Sequence, residues 1–70
     1  MKQYAVIYEK GENNWSAYPP DLPGCVATGD TFEEVKRTIA EAITFHLEGL
    51  VLAGYDVPEP TSLAAMVAVA

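Results

Sequence analysis

Side chains able to do chemistry are sparse in this sequence: one histidine, one cysteine, and ten carboxylates against four basic residues. His46 has no second histidine, cysteine or aspartate three or four positions away, so it lacks the helical spacing of a metal-ligand pair. It reads as a packed or interface histidine rather than a catalytic one. Cys25 has no partner for an internal disulfide and no neighbouring cation to favour its thiolate, and it reads as a small apolar filler. Asp21, Asp30, Glu33 and Glu34 are the carboxylates that an oxygen-seeking ion such as magnesium would use. However, Asp21 also suits a turn, and the other three suit the start of a helix. No serine or threonine has a base at useful spacing, and no glycine pattern matches a phosphate loop. The chain therefore reads as a non-enzyme that needs no cofactor and no metal. Trp15 and Tyr18 are of the type that anchors interfaces, or they cap a small core.

The elements that would position these residues follow from a turn-rich stretch in the middle of the chain. Pro19 to Gly24 places three prolines and a glycine in six residues. That composition fixes several φ angles, removes backbone donors and allows one left-handed turn. Asp30-Thr31-Phe32-Glu33-Glu34 then reads as a capping box. The Thr31 hydroxyl would accept from the Glu34 amide, and the Glu34 carboxylate would reach back to the Thr31 amide. From Phe32, apolar positions Val35, Ile39, Ala42, Ile43, His46 and Leu50 recur at steps of three and four, with Leu47 and Val51 widening the stripe. Glu33, Lys36, Arg37, Glu41 and Glu48 take the other side. Gly54 supplies a left-handed cap, so one long helix should end near Ala53.

Ahead of the turn, Lys2 to Glu9 is rich in aromatic and β-branched residues and reads as a strand. Both of its faces are fairly apolar, which places it centrally in a sheet. Lys10 to Asn14 suits a hairpin loop, with Trp15 to Tyr18 returning antiparallel. Cys25 to Thr28 leaves room for a short third strand. Beyond the helix, Asp56 to Pro60 must be extended around its two prolines. The uncharged run Leu63 to Ala70 reads as a fourth strand, with its four alanines keeping a helix open. The expected fold is α+β: a two-layer sandwich in the order β-β-β-α-β, one long helix on a small, mostly antiparallel sheet.

Seventy residues, half of them hydrophobic, make one globular domain spanning residues 1–70. A chain of that length buries only about 60% of the surface its unfolded form exposes. A homodimer or higher oligomer is expected, with Leu63, Met66, Val67 and Val69 at the interface. The net charge of −6 disfavours direct nucleic-acid binding and would speed encounter with a basic protein. Glu9 breaks the early apolar run, so no signal-peptide core forms. No stretch approaches the ~20 apolar residues of a membrane span. A cytoplasmic setting without membrane contact is expected.

Trp-Ser-Ala-Tyr-Pro-Pro-Asp-Leu-Pro-Gly-Cys (15–25) is followed by Thr-Gly-Asp-Thr-Phe-Glu-Glu (28–34), then Glu41-Ala-Ile, His46-Leu and Pro58-Glu-Pro60. This series resembles the HicB-like antitoxin family over nearly the whole chain. The resemblance implies a β-β-β-α-β domain similar to a truncated ribonuclease H-like fold that has lost its catalytic acids. It also implies a partner: a small, basic, mRNA-cleaving ribonuclease toxin of the HicA type. Many members carry a further C-terminal DNA-binding domain, which these 70 residues do not include.

The leading expectation is an antitoxin that neutralises such a toxin through Trp15, Tyr18, Asp21 and Glu33. The alternatives are a stand-alone oligomeric regulatory or structural protein without a toxin partner, and a remnant nuclease using Asp21, Asp30 and Glu33 with magnesium.

Overall fold

The computed structural model describes residues 2–70. Three short strands precede one long helix: β1 (Ile7–Lys10), β2 (Trp15–Tyr18), β3 (Ala27–Gly29) and α1 (Phe32–Leu52). Both strand pairs are antiparallel, and the sheet order is β1-β2-β3. The β1–β2 loop closes through the Gly11 amide, which donates to the Asn14 carbonyl at 2.7 Å. That closure sets Lys10 opposite Trp15 and Ile7 opposite Tyr18. The result is an α+β fold of two layers, a helix lying across one face of an antiparallel sheet.

The helix begins where its capping residues require. Thr31 holds an extended backbone and its hydroxyl accepts from the Glu34 amide at 3.1 Å. The return arm differs from the sequence expectation, because a Glu34 carboxylate oxygen accepts from the Asp30 amide at 3.3 Å instead of that of Thr31. At the other end the Gly54 amide bonds to the Val51 carbonyl and the Tyr55 amide to the Leu50 carbonyl. With Gly54 at φ 79°, this is the paired arrangement that satisfies the last free carbonyls of a helix.

The core is formed by Ala17, Leu22, Cys25, Ala27, Val35 and Ile39, all buried. Ala17 and Ala27 are opposite one another across β2 and β3 and present small side chains under α1. Gly29 allows the closest approach, since a Cβ there would lie 2.8 Å from the Val35 amide nitrogen. The Pro-rich turn contributes as much to the core as the strands do. The Leu22 amide bonds to the Pro19 carbonyl and the Cys25 amide to the Leu22 carbonyl, two successive turns that swing Pro19, Leu22 and Cys25 inward. Gly24, at φ 85°, absorbs the reversal.

Three expectations are corrected, and one cause accounts for them. Leu63 to Ala70 forms neither a strand nor a helix, because among the described residues no backbone ladder takes it in and every residue of the run is exposed. Without that fourth strand, β1 stands at the sheet edge rather than at its centre, and β2 is central. The first strand is correspondingly shorter, Ile7–Lys10 rather than Lys2 to Glu9. Tyr4, Ala5 and Val6 remain half-buried, and Tyr4 and Val6 pack against the core without joining the ladder.

Candidate interaction surface

Asp21, in the middle of the organising turn, is saturated with hydrogen bonds from the segment beyond the helix. Its Oδ2 accepts from the backbone amides of Thr61 and Ser62, each at 2.9 Å. Its Oδ1 accepts from the Ser62 hydroxyl at 2.8 Å and the Thr61 hydroxyl at 3.2 Å. Donation from the Ser62 amide, then from the Ser62 hydroxyl and from Thr61, holds the Asp21 carboxyl below its ordinary range. Two further contacts tie the same segment to the N-terminal arm. The Tyr4 hydroxyl donates to the Pro58 carbonyl at 2.6 Å, and Lys2 Nζ meets Glu59 Oε1 at 2.7 Å. The extended connector around Pro58 and Pro60 is therefore fixed along its length, and the fixing ends at Ser62.

Trp15, Phe32 and Tyr8 make an aromatic cluster at the N-terminal end of α1. The Phe32 ring centroid lies 5.3 Å from that of Trp15, edge to face, and 4.9 Å from that of Tyr8. Lys36 Nζ stands 6.0 Å from the Phe32 centroid, at the outer limit of a cation–π contact. Glu33 is exposed beside this cluster. Tyr18 belongs elsewhere: side chains alternate along β2, and with Ala17 buried under the helix, Tyr18 projects from the face α1 does not cover. The structure thus brings Trp15 and Glu33 to one end of the helix, leaves Tyr18 on the open face, and commits Asp21 to the connector.

The second apolar surface was not singled out from sequence. An open groove runs between the turn and the C-terminal half of α1, lined by Cys25, Val26, Phe45, His46, Leu50 and Tyr55. Phe45 is 79% exposed and Leu52 88% exposed. Both fall outside the core stripe, seven positions apart on the face that also carries Glu41 and Glu48. Large apolar residues at off-stripe positions were the available signal. His46 borders this groove, while burial among apolar neighbours pushes the Cys25 thiol up and away from reactivity.

Among the described residues no three His, Cys, Asp or Glu side chains gather where one ion could reach them. Asp21, Asp30 and Glu33 therefore do not form the magnesium set of the nuclease alternative. Among those residues too, no helix is long and apolar enough to cross a membrane. What the surface offers is contact: exposed aromatics and aliphatics edged by carboxylates.

These features define a small α+β domain with large apolar side chains exposed on its surface. The model of the family described as HicB_like antitoxin of bacterial toxin-antitoxin system matches residues 4–70, and the chain belongs to this family. It is 36% identical over 56 residues to an uncharacterized 14.9 kDa protein in the rep-hol intergenic region of Haemophilus phage HP1, covering 80% of this chain and 42% of that protein. It is 40% identical over 57 residues to a UPF0150 protein of Synechocystis sp., covering 80% of this chain and 72% of the relative. The chain thus spans less than half the length of the phage relative. Among solved structures, a chain of one described as the HicA3 and HicB3 toxin-antitoxin complex superposes with a TM-score of 0.73 at 30% identity, covering 84% of this chain and 69% of that one.

Proposed function

We propose that this protein is an antitoxin that binds a small, basic, HicA-type ribonuclease toxin and blocks its access to mRNA, with no catalysis of its own. The observation that carries the reading is the likeness to a chain of a toxin-antitoxin complex at 30% identity over 84% of the chain. The net charge of −6 supports it, since a protein surface built to attract RNA is itself cationic and draws an acidic partner. The action belongs in the cytoplasm, where mRNA is found.

Trp15, packed on Phe32 at the N-terminal end of α1, Glu33 in the first turn of that helix, and Tyr18 on the open sheet face are the proposed toxin contacts. Asp21 acts through the connector it holds. Self-association through Leu63, Met66, Val67 and Val69 accompanies this role.

Co-expression with a candidate toxin encoded beside the gene, followed by growth and mRNA integrity, tests the proposal. The expected result is restored growth and intact mRNA with the wild-type chain. Glu33→Gln should slow binding and weaken its salt dependence, whereas Trp15→Ala should speed dissociation. Unrelieved growth arrest, with no complex at low salt, would remove the antitoxin reading.

A further inference from the structure

The exposed run Leu63 to Ala70 has a definite root and forms no strand or helix. Among the described residues, its last hydrogen bonds to the rest of the chain are those of Asp21 to Thr61 and Ser62. Beyond them Leu63 is 92% exposed, Met66 100%, Val67 80% and Val69 87%. Ala64, Ala65 and Met66 pass beside Val6, Ile7 and Tyr8, next to the free edge of β1, yet no ladder forms. Nor could this chain cover a strand laid there. The helix packs over β2 and β3 and not over β1, apart from the Tyr8 ring that reaches Phe32.

The whole surface agrees with an uncovered segment. A folded monomer of 7.6 kDa should expose about 4,300 Å², whereas this chain exposes 5438 Å². The excess, about 1,100 Å² on that scaling, exceeds the roughly 800 Å² that each partner buries in a standard interface. The radius of gyration points the same way, at 13.3 Å against about 11 Å for a compact chain of this length.

Charge restricts what can supply the cover. Two copies at −6 each repel over most of their surfaces, and Leu63 to Ala70 is a run of eight residues without a charge. We infer that this segment of one copy adds as a strand to the free β1 edge of a second copy, and that the exchange is reciprocal. Reciprocity satisfies both free edges and covers both apolar segments in one closed dimer. The Asp21 clamp sets the point from which each segment departs. The inference specifies how the self-association stated above is achieved, and it does not depend on the toxin.

The test is made on the 70-residue chain without toxin. Sedimentation velocity at tens of micromolar should give twice the chain mass, and Val67→Asp should return it to the single-chain mass with its helical circular dichroism retained. An equimolar mixture of isotope-labelled and unlabelled chains should show isotope-filtered NOEs between Ala65–Val67 of one copy and Val6–Tyr8 of the other. A monomer at this concentration overturns the inference. So does a dimer whose Ala65–Val67 contacts to β1 all lie within one chain. Because no toxin is present, failure here leaves the antitoxin reading standing, and loss of toxin binding would leave this one standing.

Discussion

Asp21 shows how one side chain can serve the turn it sits in and a segment forty residues away. Its four bonds to Thr61 and Ser62 stabilise the ionised carboxylate, so its folded pKa lies below the ordinary 3.8. A depressed carboxylate contributes stability that is present above 3.8 and is lost as pH falls through the lowered folded value. The Thr61 and Ser62 amide proton resonances should therefore titrate together below pH 3.8, and Asp21→Asn should abolish that titration in NMR spectra. The clamp could not be read from sequence, because it joins residues distant in the chain through a carboxylate whose turn role already sufficed. The glycines separate in a similar way. Gly29→Ala forces a methyl group against the Val35 backbone and should cost about 1–3 kcal/mol in urea unfolding. Gly49→Ala, in open space on the helix, should instead stabilise by about 0.5–1 kcal/mol.

At the scale of elements, legibility followed the range of the determining interactions. Both ends of α1 were readable because caps are made by residues within a few positions of one another: Thr31 with Glu34, and Gly54 with Val51. Thr31→Ala should accordingly cost about 0.5–2 kcal/mol, measured as a shift in denaturation midpoint with helix length unchanged. The hairpin was readable for the same reason, its loop being closed by Gly11 and Asn14. Strands fared worse where pairing decides them. Tyr4 and Val6 have strand composition, but a strand exists only where a neighbour supplies hydrogen bonds. On the outer side of β1 the described residues supply none. The run Leu63 to Ala70 failed to become a strand for the identical reason, and it is left exposed along its whole length.

The whole molecule is an acidic module that carries two apolar features on its surface, the groove beside Phe45 and the segment beyond Ser62. Of the side chains first marked as contacts, Trp15 and Glu33 lie at the N-terminal end of α1, whereas Tyr18 projects from the open sheet face and Asp21 is held by the connector. Sequence proximity to the turn was a poor guide to a shared patch, because successive side chains of β2 point to opposite faces. The family was legible because the turn motif spans residues with separate structural duties: Leu22 and Cys25 in the core, Gly24 at positive φ, Asp21 as the clamp and Gly29 against the helix. The central functional claim concerns a ribonuclease, so it is tested most directly on one. Purified toxin encoded beside the gene would be incubated with labelled mRNA and increasing amounts of the purified chain, at low and at high salt. Cleavage that stops once the chain matches the toxin in amount, with inhibition weakening as salt rises, is the expected result. Cleavage that proceeds undiminished with the chain in excess at low salt would contradict the account.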